Sequence, residues 1–263
     1  MTREAVVRDL VVDGKRLETV RYDGDPAQPA IVLLHEGLGS VSLWRDLPQR
    51  LAERTRCAVV AYSRYGYGRS EVLRERREPD YMHHEGEVVL PELLAQLEIE
   101  RPVLFGHSDG ASIALIYAGA LPGAVRALVL EAPHVFVEEI SVRSIAEAKT
   151  AYATTDLPAK LARHHTDPDA TFAGWNDIWL DQRFRDWNIE TSASSVDRPV
   201  LLIQGDADAY GTNAQLDAIV ARIPNAQVLL VPGTGHSPHR DAADLVLDRV
   251  AAFVAASSAN SSH

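Results

Sequence analysis

The sequence predicts an α/β chain: a doubly wound, mostly parallel sheet interrupted by an inserted helical cap. Three observations predict it. Apolar, β-branched runs recur along the 263 residues as "AIVLLH" (30–35), "AVVAYS" (58–63), "PVLFGH" (102–107), "RALVLEAP" (126–133), "PVLLIQGD" (199–206) and "AQVLLVPG" (226–233). Continuous runs of this kind read as strands buried on both faces. Helix-like segments at 44–55, 84–97, 110–120 and 213–223 fall between them, which is the alternation of parallel βα units. The rhythm breaks once, over 134–198, a long stretch without a convincing core strand that holds Trp175, Trp179 and Trp187. An insertion of that length usually serves a function.

Taken in order, "VVRDLVVDGKRLETVRYDG" alternates in polarity around Asp13-Gly14 and reads as an antiparallel hairpin at the sheet edge. The core then comprises 1–133 and 197–263, and the cap 134–196. Its position after one strand's C-terminal end, where open α/β sheets bind ligands, places the cap over that edge. The tail from 256 to 263, "ASSANSSH", is polar and expected to fray.

Bulk composition fits one soluble unit, with 46% hydrophobic residues. A net charge of -11, from 37 acidic against 26 basic residues, disfavours nucleic acid and anionic membranes and favours small-molecule partners. The oligomeric state is left open, a homo-oligomer included. Cys57 is the single cysteine and is expected in a core strand; no internal disulfide is available and no Cys/His group has zinc spacing. "MTREAVVRDL" lacks the apolar run of a signal peptide, and no run of about 18 apolar residues is present, so a cytoplasmic location is the default expectation.

The chemistry centres on "FGHSDGAS" (105–112). Ser108 lies between Gly106 and Gly110, with an apolar strand leading in and "ASIALIYAGA" leading out as a helix, the G-x-S-x-G strand-turn-helix that exposes a serine hydroxyl. Such a hydroxyl needs a base, and the base needs an orienting carboxylate. "VPGTGHSPH" supplies His236 after the last strand, while His239 reads as a surface helix residue. "QGDADAYG" supplies Asp208, further beyond its strand than Asp206, whose expected role is an Asx-type turn; Glu131 is a more distant candidate.

With these motifs in the order Ser108, Asp208, His236, the whole chain resembles the α/β-hydrolase superfamily. "HEGLGSVSLW" strengthens the resemblance, because His35 and Trp44 keep the spacing of the family's His-Gly-x-Gly loop. The resemblance implies an oxyanion hole from the backbone N–H groups of Gly37 and Asp109, with Leu38 as the alternative to Gly37 and Glu36 standing where the family has glycine. "SRYGYGRS" (63–70) resembles the family's D-x-x-G-x-G-x-S turn, with Ser63 in place of the aspartate, and reads as a structural turn. A serine at the elbow implies acyl chemistry without metal or organic cofactor.

The expected function is therefore a serine hydrolase cleaving a small to medium carboxylic ester or lactone. A carbon-carbon bond hydrolase of aromatic meta-cleavage products is the alternative within the superfamily, and a non-catalytic ligand-binding protein the alternative outside enzymes. Glu36, Leu38, His134, Trp175 and Trp179 are the candidate substrate contacts. Trp175 and Trp179 share a helix face, and packing of the cap competes with pocket lining. Adjacent histidines at 83–84 and 164–165 project about 100° apart on a helix and read as ordinary polar positions rather than ligands. Arg64 is expected to neutralise both Glu36 and Asp109, and the Asp109 carboxylate, which would oppose a developing oxyanion, is expected to turn toward Arg64 or the helix N-terminus, or to be held protonated beside Glu36.

Overall fold

The computed structural model describes residues 5–259. β1 (Ala5–Val12) and β2 (Lys15–Tyr22) form the expected hairpin. Asp13 and Gly14 take φ of 49° and 69°, the left-handed pair that lets a two-residue turn match the twist of its strands. β3 (Ile31–Leu34), a 3-10 turn at Val41–Trp44, α1 (Leu47–Thr55) and β4 (Val59–Tyr62) follow. Cys57 is buried but stands just before β4 rather than inside it.

The helix expected from 84 begins earlier: α2 (Tyr81–His84) passes through a wide π turn at Glu85–Val89 into α3 (Leu90–Gln96). Pro91 gives the reason, since it lacks an N–H and its ring crowds the carbonyl one turn back; local widening relieves both. Next come β5 (Val103–His107), α4 (Asp109–Ala120) and β6 (Ala127–Glu131). The long interruption is filled by α5 (Glu139–Thr154), α6 (Leu157–Leu161), α7 (Pro168–Leu180) and α8 (Glu190–Ala193). β7 (Val200–Gly205), α9 (Asn213–Val220), β8 (Gln227–Val231), α10 (Pro238–Asp241) and α11 (Ala243–Ala259) complete the chain. Residues 256–259 are thus helical, against the expectation of fraying, because Phe253 and Val254 anchor the helix in the core. The rest of the tail, 260–263, lies outside the described residues.

All eight strands join one sheet in the order β1-β2-β4-β3-β5-β6-β7-β8. β2 pairs antiparallel with β1 and β4, and the pairs from β4 to β8 are parallel. Side chains alternate along each strand, so Ile31 and Leu33 meet the α1 and α11 layer while Val32 and Leu34 meet α4. α4 is buried on every side from Asp109 to Ala118, the mark of a central helix. Phe172, Trp175, Trp179 and Trp187 of the insertion join the same apolar cluster as α4. Each such side chain contributes about 1.5–3 kcal/mol by leaving water.

Candidate active site

Ser108, Asp208, His236 and the 35–39 loop each follow a parallel strand, at the sheet's C-terminal edge. Ser108, between β5 and α4, takes φ 53° and ψ −118°, a strained backbone costing about 1–3 kcal/mol. The flanking glycines make the turn feasible. A Cβ on Gly106 would meet the Gly110 carbonyl at 2.3 Å, and one on Gly110 would meet the Leu34 carbonyl at 2.0 Å.

Ser108 Oγ–H donates to His236 Nε2 at 2.9 Å, and His236 Nδ1–H donates to the Asp208 carboxylate at 2.8 and 2.9 Å. Asp208 also accepts from Gln204 Nε2 (2.7 Å) and the Tyr210 N–H (2.8 Å). Burial works against its charge, yet His236 and Tyr210 hold its carboxyl below the usual range. A carboxylate with four contacts fixes the imidazole with its free lone pair facing the serine, which is the arrangement for proton removal.

The rival residues have other partners. Asp206 accepts the Gly233 N–H at 2.7 Å and so ties the β7 loop to the β8 loop, instead of closing its own Asx turn. Glu131 accepts both the N–H and the Nδ1–H of His239, each at 2.7 Å. His239 is therefore a buried partner, 3% exposed, and not a surface helix residue. His107, Glu131 and His239 bring ligand-type atoms within 4.8 Å of one another, but the Glu131 oxygens are already engaged by His239. The histidine pairs also serve as polar contacts: His84 meets Asp13, and His164 meets Ser42. His165 is buried, accepting the Gly68 N–H (2.9 Å) and donating to the Leu38 carbonyl (3.1 Å).

Opposite His236 lies the 35–39 loop. A Cβ on Gly37 would meet Trp175 Nε1 at 2.1 Å, so glycine is required where the indole crosses the backbone. The Glu36 carbonyl accepts from His35 Nδ1–H (2.7 Å), the Gly39 N–H (3.0 Å) and Arg64 Nη2–H (3.0 Å). Asp109 opens α4, so its N–H has no partner within the helix. Its carboxylate turns away from the serine: Oδ2 accepts from Tyr81 O–H at 2.8 Å and lies 3.6 Å from Arg64 Nη2. Burial and Asp109 together push the Tyr81 phenol up, keeping it a donor. Arg64 does not pair with the Glu36 carboxylate as expected. That group faces His107 Nδ1 and Arg240 Nη2, each at 3.4 Å. Burial opposes its charge, but His107, Arg240 and His35 hold its carboxyl well below the usual range. Ser63 is structural, donating to Glu18 at 2.8 Å and accepting from the Val41 N–H.

The serine opens into a cavity of about 220 Å³ whose walls include Glu36, Gly37, Leu38, Asp109, His134, Trp175 and Trp179. Both tryptophans are buried in the packing and also line the cavity. His134 lies with its ring 5.9 Å from that of His236, and burial lowers its pKa to about 4. Sequence reasoning missed His107, Ser141, Ile145, Tyr210 and Ser237 in the wall; His107, Tyr210 and Ser237 carried a signal, each within two residues of a triad member, whereas Ser141 and Ile145 carried none. Among the described residues, no helix is long and apolar enough to cross a membrane.

Residues 31–249 match the alpha/beta hydrolase family. The mouse sn-1-specific diacylglycerol lipase ABHD11 is 27% identical, the match covering 89% of this chain and 83% of that protein. Among solved structures, a carboxylesterase of Nitrososphaera gargenis superposes with a TM-score of 0.78 at 18% identity, covering 96% of this chain and 100% of that one. The enol-lactonase of Burkholderia xenovorans gives 0.73 at 20% identity, covering 94% and 100%. The match spans most of the chain and agrees with the sheet and the strand-turn-helix at Ser108: the protein belongs to the alpha/beta hydrolase family.

Proposed function

We propose that the protein is a serine hydrolase that cleaves a small, uncharged carboxylic ester or lactone through an acyl-enzyme. The observation that carries this is the Ser108–His236–Asp208 hydrogen-bonded chain at the floor of the cavity. Ser108 attacks the carbonyl as His236 takes its proton, and the Gly37 and Asp109 N–H groups receive the oxyanion. His236 then protonates the departing alkoxide, and water repeats the sequence on the acyl-enzyme. Asp208 holds the tautomer throughout. Helices α5–α8 act as the cap, contributing Ser141, Ile145, Trp175 and Trp179 to the wall.

Size and charge narrow the substrate. A volume of about 220 Å³ is below the roughly 300–1,000 Å³ usual for small-molecule sites, which favours a short acyl group. The wall contains Glu36 and Asp109 and, among the described residues, no lysine or arginine. A dienoate from aromatic ring cleavage would meet no free cation in this wall, because Arg64 and Arg240 behind it are already engaged by Asp109 and Glu36, which favours the neutral ester. Relatives named as a lipase, a carboxylesterase and an enol-lactonase support the same bond type. The test is turnover of p-nitrophenyl acetate, butyrate and octanoate, a γ-lactone and a meta-cleavage dienoate. Preference for the short esters or the lactone is expected. Turnover of the dienoate alone would replace the ester reading with carbon-carbon hydrolysis.

A further inference from the structure

Arg64 takes no part in the steps above, yet it is the one fully buried cation among the described residues. It comes from the turn after β4, where the family-like motif asks only for a tight bend. Burying a guanidinium costs several kcal/mol unless charge and hydrogen bonds offset it, so its contacts are informative. One nitrogen, Nη2, reaches the carbonyls of Glu36 (3.0 Å) and His35 (3.4 Å) and the Asp109 carboxylate (3.6 Å). These belong to the two segments that carry the two oxyanion donors.

We propose that Arg64 is a positioning residue for the oxyanion hole, bracing the Gly37 N–H through the Glu36 carbonyl and the Asp109 N–H through the Asp109 side chain. The inference rests on the serine-hydrolase reading. The Glu36 carbonyl and the Gly37 N–H belong to one planar trans peptide and point in opposite directions. Fixing the carbonyl on Arg64 therefore aims the N–H away from it, toward the cavity that Gly37 lines. A charge-assisted donor on that carbonyl also polarises the peptide and strengthens its N–H as a donor. The Arg64 backbone N–H donates to His35 Nε2 at 3.1 Å, which sets the tautomer whose Nδ1–H bonds the same Glu36 carbonyl.

On the other side, Asp109 would place an uncompensated negative charge beside the forming oxyanion. Arg64 and Tyr81 draw its carboxylate backward and screen it while leaving its N–H in place. Both effects matter only once negative charge develops, so they act on kcat rather than on KM.

The test compares wild type with Arg64→Lys, which keeps the charge but loses the fork, and with Arg64→Met/Asp109→Asn, which removes the buried Arg64–Asp109 pair together. Thermal melts establish folding. Turnover of p-nitrophenyl acetate should fall about 10- to 100-fold in the double variant, less than the 10²–10³ typical of losing a donor outright, with KM within about threefold. Arg64→Lys should fall between. Affinity for a short trifluoromethyl ketone, which forms an anionic hemiketal with Ser108, should fall in parallel with kcat/KM. If the double variant does not fold, the Arg64→Lys comparison carries the same test. Wild-type kcat in either folded variant, or lost turnover with undiminished ketone affinity, overturns the proposal. Wild-type turnover by Ser108→Ala, or absence of any ketone adduct on the wild-type protein, overturns the serine-hydrolase reading instead.

Discussion

Asp208→Asn tests how the site fixes its general base. The Asp208 side chain is 1% exposed, and its oxygens receive protons from three donors, His236 Nδ1, Gln204 Nε2 and the Tyr210 N–H. Asparagine has nearly the same shape but replaces one oxygen by an amide nitrogen that can only donate. Placed toward Tyr210 or Gln204, that nitrogen meets another donor; placed toward His236, it donates to Nδ1 and forces the imidazole proton to Nε2. His236 then presents an N–H to Ser108 and cannot accept its proton. Loss of the tautomer lowers kcat about 10⁴-fold in triads of this kind, equivalent to about 5.4 kcal/mol at 1.36 kcal/mol per decade. Steady-state hydrolysis of a p-nitrophenyl ester at pH 8, beside a thermal melt, measures both sides. A folded Asp208→Asn protein within tenfold of wild-type kcat would refute the tautomer argument and return Asp208 to a structural role.

Other perturbations follow from the same geometry. His134 and His165 are held neutral down to about 4 by burial, against an ordinary value of 6.5. Because the unfolded chain binds their protons first, stability present above pH 6.5 is lost as pH falls toward 4. Each site costs about 3 kcal/mol, from 2.5 pH units at 1.36 kcal/mol each, and urea melts between pH 7 and 4 should show it; a flat profile would contradict the burial argument. Glu131→Ala strands His239 in the core and should destabilise by about 3–5 kcal/mol, read by chemical denaturation, whereas a change under 1 kcal/mol would mean the pair is dispensable. Ile145→Ala widens the acyl cavity and should move the chain-length optimum toward longer p-nitrophenyl esters; an unchanged optimum would place the acyl chain elsewhere.

The sequence revealed what depends on local pattern. Parallel strands buried on both faces leave unbroken apolar runs, so β3 to β7 were legible as such; the run at 226–233 also forms a strand, but β8 is at the sheet edge and leaves Val228 and Leu230 exposed. Ser108 and His236 were legible too, because a strand-turn-helix and a glycine loop each have a sequence signature. His239 was misjudged for the opposite reason: "SPHRD" is locally polar, and the partner that buries it, Glu131, lies 108 residues away. Long separation in the chain likewise hid the partners of Glu36, whose carboxylate meets His107 and Arg240 rather than Arg64. Ile145 and Ser141 reach the cavity only through packing of α5, and helical periodicity cannot say which apolar face meets a ligand. Asp109 was legible as a problem, since its backbone and side chain had opposing consequences, and the answer needed Tyr81 from a helix whose start Pro91 obscured.

The central claim is that Ser108 is an activated nucleophile. Incubation with a fluorophosphonate, followed by peptide mass spectrometry, tests it most directly. A single adduct on the peptide containing Ser108, absent in Ser108→Ala and strongly slowed in His236→Ala, is the predicted result. A folded protein that takes no label, or takes it on another residue, would contradict the account.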